Sequence, residues 1–166
     1  MVSLEALLES REKRSLRQKE LLAAHPGCSL VCLTVLFPGP VKRSMDSLIV
    51  GGAGVAALTE RFGDRLAHIE IRDLETGYEA YFVLPVPEGE VKRSCCEIEE
   101  THPLGRLMDI DVMGRDGIPL ERSLLGLPPR KCLLCDRDAR LCMKEARHDK
   151  NELLTKIKQL IDAYVL

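Results

Sequence analysis

The chain has 166 residues, and its 24 lysines and arginines nearly balance 26 aspartates and glutamates, for a net charge of -2. That length suits one domain with a sizeable core, and a 45% hydrophobic, 30% charged composition excludes a disordered chain. Near-neutrality, 4% aromatics and the lack of tryptophan argue against a nucleic-acid binder relying on bulk positive charge or base stacking.

Residues 3–24 read as a helix, with Leu4, Leu7, Leu8, Leu21 and Leu22 at helical spacing and Pro26-Gly27 as the stop. Arg11, Arg14 and Gln18 continue the same stripe, so the face is either solvated in its middle or reaches over a pocket for phosphates. Cys28 to Phe37 is a continuous β-favouring run, expected as a central strand, and Pro38-Gly39-Pro40 breaks it. Lys42 and Arg43 then project from the following loop, where functional groups tend to collect.

Met45 to Phe62 reads as a second helix, and Leu66–Arg72 and Tyr78–Leu84 as strands joined by a turn at residues 74–77. Glu90 to Glu100 reads as a short helix, Leu107 to Val112 as a strand, and Gly114 to Gly117 as a turn. Residues 118–131 are loop-rich, and the last third is helical, with Leu153, Leu154, Ile157, Leu160, Ile161 and Tyr164 on one face. The whole chain is expected to form one domain, with residues 128–166 a cysteine-containing helical segment.

Seven cysteines is an odd number, and the N-terminus lacks the basic start and apolar run of a signal peptide. The longest apolar run, around Leu48 to Leu58, is too short for a membrane span. A reducing cytoplasm is expected, with reduced cysteines that are buried, reactive or metal-binding.

Three constellations carry chemistry. In a strand, Asp109 and Asp111 project from one face while Ile110 points to the other. Two carboxylates that close repel each other unless a cation lies between them, and magnesium is the usual partner in phosphoryl transfer. Cys132-x-x-Cys135 with Cys142 and His148 supplies the ligand set of a structural zinc site. Alternatively, Cys135, Ala139, Cys142 and Ala146 share one helix face, as small residues at a packed seam would; His148 then joins only if the helix breaks. Gly52-Ala53-Gly54-Val55-Ala56-Ala57, with Asp73 further on, matches a dinucleotide-binding fingerprint, set against a plain helix whose small residues pack closely.

Pro38-Gly39-Pro40-Val41-Lys42, His102-Pro103-Leu104-Gly105-Arg106-Leu107 running into Asp109-Ile110-Asp111-Val112, and Arg130-Lys131-Cys132-Leu133-x-Cys135 together resemble one family. It is the citrate lyase holo-acyl-carrier-protein synthase family, the apo-citrate lyase phosphoribosyl-dephospho-CoA transferases. The resemblance implies transfer of triphosphoribosyl-dephospho-CoA to a serine of the apo acyl-carrier (gamma) subunit of citrate lyase, with release of pyrophosphate. It also implies magnesium on Asp109 and Asp111 as the catalytic carboxylates, and triphosphate contacts from Arg11, Arg14, Lys42 and Arg106. Nucleotidyltransferases of this kind often add a third carboxylate from a neighbouring strand, for which Glu70, Glu97 and Glu100 are candidates.

The expectation is therefore an α+β domain, a small mixed sheet flanked by N- and C-terminal helices, with a nucleotidyltransferase-like active face. No nucleic-acid or membrane partner is expected. The rival reading is a non-catalytic interaction module stabilised by zinc on Cys132, Cys135, Cys142 and His148.

Overall fold

Ser3 starts the first helix: its hydroxyl accepts the Ala6 N–H at 3.1 Å and caps α1 (Leu4–Ala24). In the computed structural model, which describes residues 1–166, α1 lies against one face of a four-stranded sheet. The strands are β1 (Ser29–Val35), β2 (His68–Leu74), β3 (Gly77–Leu84) and β4 (Met108–Met113), in the order β2-β3-β1-β4 and antiparallel throughout. The α+β class is thus borne out, with a wholly antiparallel sheet in place of the expected mixed one, and β1 is an internal strand as its continuous apolar run requires.

The sheet has two different faces. Leu33, Ala80, Phe82, Ile110 and Val112 are buried on the face that packs against α2 (Met45–Phe62) and α3 (Glu88–Thr101). The glycine run lies wholly inside α2, so it has no preceding strand and makes no dinucleotide fold. Its small residues serve packing: a Cβ on Gly54 would come within 2.8 Å of Leu33 Cδ2, and one on Gly51 would overlap the Tyr78 ring.

On the opposite face, Leu21 of α1 joins a cluster with Leu30, Cys32, Tyr81, Val83 and Met113. The leucine stripe of α1 is only half used, because Leu4 is 73% and Leu8 50% exposed. The face turned to the sheet runs instead through Ser10, Arg14, Arg17 and Leu21, at helical spacing of three and four. Leu4 and Leu8 fall roughly 120° or more around the helix from Ser10, hence outside.

These elements belong to the compact unit Met1–Leu120; Glu121–Leu166 forms a second. The second unit holds a 3₁₀ turn at Arg122–Leu125, then α4 (Ala139–Lys144) and α5 (Lys150–Val165). Asp149 and Glu152 form a capping box at the start of α5, so that helix begins where its sequence signal places it. None of the helices is long and apolar enough to cross a membrane, and all seven cysteines are free thiols.

Candidate active site and metal cluster

The register of the strands builds an acidic face. Thr34 of β1 stands opposite Glu79 on β3 and Asp109 on β4, while Cys32 stands opposite Tyr81 and Asp111. Residues directly opposite share a face, so Glu79, Asp109 and Asp111 all lie on the α1 side of the sheet. Asp109 and Asp111 are half-buried, whereas Met108, Ile110 and Val112 between and beside them are buried on the other side. Burial pushes the Asp111 carboxyl above the usual carboxylate range and the Asp109 charge adds to it; Lys92 and Arg14 pull the other way.

Glu79 is the buried carboxylate of this face. Arg14 donates from Nε to its Oε1 at 2.8 Å, and the Tyr81 hydroxyl donates to its Oε2 at 2.8 Å. Burial works against the Arg14 guanidinium, but the charge and hydrogen bond of Glu79 outweigh it and raise its pKa. Because the bond uses Nε, the terminal nitrogens of Arg14 stay available to oxygens of an incoming phosphate. Beside it, Arg17 and Arg72 both donate to Glu70, Arg17 at 2.6 Å through a terminal nitrogen and Arg72 at 2.7 Å through Nε.

The other candidate cations sit near one end of the sheet. Val35 pairs with Met108, so the chain leaves β1 where it enters β4. The loop after β1 carries Lys42, whose ammonium donates to the Phe37 carbonyl at 2.5 Å. The 3₁₀ turn Gly105–Leu107 feeding β4 carries half-buried Arg106, and Gly105 sits so close to the backbone of Ile98 and Glu99 that no Cβ fits there. Arg11 is exposed on α1, one turn before Arg14. Arg43 from the same loop is held by Asp73 and Glu75 at the β2–β3 turn.

Among the expected third carboxylates, Glu70 is tied to Arg17 and Arg72, Glu97 pairs with Arg61, and Glu100 is exposed on α3. Glu70 lies on the face of the acid pair, in the row of Tyr81, Cys32 and Asp111, but on the far edge strand. Glu79, not singled out in the sequence, is on the same face and one strand nearer to β4. Its signal was a lone charge inside the apolar run from Tyr78 to Leu84. Two further charges were missed. Buried Lys92 donates to the Ile110 carbonyl at 3.2 Å, and buried Glu99 accepts the Ile110 N–H at 2.9 Å. A concavity of about 260 Å³ lined by Gly27, Ser29, Val86, Glu88 and Arg115 opens at the other end of β1, away from this chemistry.

In the second unit, Cys132, Cys135, Cys142 and His148 form a group whose ligand atoms all lie within 4.8 Å of one another, and which could hold a metal ion. The continuous helix that would align Cys135, Ala139, Cys142 and Ala146 does not form. Cys135 lies before α4, and Ala146 turns to φ 46° after it, which carries His148 back to the cysteines.

A family model described as apo-citrate lyase phosphoribosyl-dephospho-CoA transferase matches residues 2–164. A Vibrio cholerae serotype O1 protein named "Probable apo-citrate lyase phosphoribosyl-dephospho-CoA transferase" is 40% identical over 167 residues, covering 98% of this chain and 93% of that protein. A Streptococcus pyogenes serotype M18 protein of the same name is 34% identical over 168 residues, covering 98% and 87%. "Protein CitXG" of Haemophilus influenzae is 38% identical over 162 residues, covering 96% of this chain and 35% of that longer protein. Matched over nearly its whole length, the chain is a transferase belonging to the apo-citrate lyase phosphoribosyl-dephospho-CoA transferase family.

Proposed function

We propose that the protein attaches triphosphoribosyl-dephospho-CoA to a serine of the apo acyl-carrier (gamma) subunit of citrate lyase, in the cytoplasm, by magnesium-dependent nucleotidyl transfer with release of pyrophosphate. Family membership supports the substrates. The observation that carries the site is the acid pair Asp109 and Asp111 on one half-buried strand face, with the Arg14 guanidinium held over that face by Glu79.

The donor set fits magnesium, since carboxylate oxygens are its preferred protein ligands and half-buried like charges call for a cation. Held by Asp109 and Asp111, the ion would neutralise charge on the triphosphate and on the leaving pyrophosphate. The terminal nitrogens of Arg14 suit bidentate contact with phosphate oxygens, and Arg106 and Lys42 bring further positive charge from the loops around β4. Arg11, exposed one turn away, would meet the outer part of the triphosphate. In the transfer, the serine oxygen bonds to the phosphorus nearest the ribose and the bond to the pyrophosphate oxygen breaks. The serine proton passes to a carboxylate of the acid pair. Glu79 acts through Arg14 as a positioning residue. Cys132, Cys135, Cys142 and His148, which belong to the second unit, have no part in this step.

The test is intact-mass measurement on the apo acyl-carrier subunit incubated with the protein, magnesium and the precursor. A gain equal to the prosthetic group, with pyrophosphate released, is expected. No gain with a precursor that another enzyme of the family can use would refute the proposal.

A further inference from the structure

We infer that Cys132, Cys135, Cys142 and His148 bind one zinc ion tetrahedrally, and that this ion folds the C-terminal unit Glu121–Leu166. The inference is independent of the transferase reading, because it rests on other residues.

The backbone presents the ligands in a way that packing alone does not explain. Cys132 N–H donates to the Arg137 carbonyl at 2.7 Å and Ala139 N–H to the Arg130 carbonyl at 2.8 Å, closing a tight hairpin around Cys132 and Cys135. The Leu134 N–H points at Cys132 Sγ, 3.5 Å away, a contact that offsets charge on a thiolate. Asp138 caps the short helix α4 through the Arg140 N–H at 2.8 Å, and α4 delivers Cys142. The left-handed turn at Ala146 then brings in His148, whose Nε2 is buried with no hydrogen-bond partner.

The spacing suits the ion. Zinc–sulfur bonds of about 2.3 Å in a tetrahedron put sulfurs roughly 3.8 Å apart. Cys135 and Cys142 sulfurs are 3.5 Å apart, far beyond a disulfide bond of about 2.05 Å. Three thiolates and an imidazole favour zinc over hard cations, which take oxygen. The unit also needs a cross-link: its buried apolar side chains are only Cys142, Ile157 and Ile161.

The test uses the full-length protein purified without chelators. One equivalent of zinc per chain is expected, and replacement by cobalt should give the intense visible bands of tetrahedral thiolate ligation. His148→Cys should keep the ion and shift those bands, whereas Cys135→Ser should lose at least about tenfold in zinc affinity. Stripping the ion should raise amide hydrogen exchange across residues 121–166, α5 included, while the sheet of the first unit keeps its protection. A folded protein that takes up neither zinc nor cobalt, or exchange unchanged by stripping, would overturn the inference. So would a Cys135–Cys142 disulfide in protein prepared under reducing conditions.

Discussion

Arg14→Met tests whether the acidic face is held together by α1. Glu79, with a side chain 3% exposed, would keep only the Tyr81 hydroxyl as a partner once the 2.8 Å bond from Arg14 is gone. Breaking one side of a buried ion pair costs about 3–5 kcal/mol, because the remaining charge is left desolvated. The Arg14 side chain is 28% exposed, so water reaches the pair and lowers the expected loss to about 2–3 kcal/mol. With a urea m-value of about 1–3 kcal/mol/M, the unfolding midpoint should fall by roughly 1–2 M. Glu79→Gln alone leaves the guanidinium a neutral acceptor and should cost about 1–2 kcal/mol. In the Arg14→Met/Glu79→Gln double variant the buried charge is gone, and the losses should fall short of additivity by about 1–2 kcal/mol. Urea unfolding of the four proteins measures this cycle. An Arg14→Met protein within about 0.5 kcal/mol of the parent, or strict additivity, would refute the argument that Glu79 depends on Arg14.

Asp109→Asn and Asp111→Asn should each lower transfer by at least about 100-fold at saturating magnesium, measured by the rate of mass gain on the carrier subunit, with thermal stability kept or raised as the like-charge pair is relieved. Gly54→Val should cost about 1–3 kcal/mol or more in chemical unfolding, because the new methyls would drive into Leu33, 2.8 Å from where even a Cβ would sit. Glu70 is held below the usual carboxylate range by the Arg17 hydrogen bond first, against burial, with Arg72 adding to it. A carboxyl whose folded pKa is depressed stabilises the fold above its unfolded value, near 4.5, and loses that contribution as pH falls through the lower folded value. Glu70→Gln should therefore cost about 1 kcal/mol at pH 7 and nearly nothing well below pH 4, read from midpoints across that range.

Helices and strands were legible because their signals are local. Ser3, Ser44 and Asp149 mark helix starts with side-chain caps, and the turn after β2 falls where Gly77 adopts φ 135°. The acid pair was legible for the same reason, since a two-residue strand period suffices to put Asp109 and Asp111 on one face. What the sequence concealed depends on partners distant in the chain. Alternation in β2 would bury Ile69 and Ile71, yet they are 42% and 51% exposed while Glu70 turns inward to Arg17 of α1. Polar groups go inward there because α1 supplies guanidiniums, and nothing within β2 announces it. The Cys/His group failed to resolve for a related reason. Cys135 stays out of the helix because a hairpin through residues 130–139 and the Asp138 cap start α4 only after it. His148 returns through a turn at Ala146, an alanine in a conformation its type seldom adopts.

Lys92 and Glu99 brace the strand that carries the acid pair. β4 is an edge strand, and its residues Asp109 and Asp111 carry like charges that push apart and favour fraying. Ile110 stands between them. Its neighbour across β1 is Leu33, in a pair whose own backbone groups point away from each other, so its N–H and carbonyl face the open edge. Glu99 accepts that N–H and Lys92 donates to that carbonyl, both from α3 and both buried. Water could have satisfied the same two groups without burying two charges, so edge satisfaction alone does not account for them. What they add is rigidity: the peptide units between the carboxylates are fixed from α3 as well as from β1. In the proposed magnesium site, that rigidity would hold the two carboxylates at the fixed spacing that a cation with a strict coordination geometry requires.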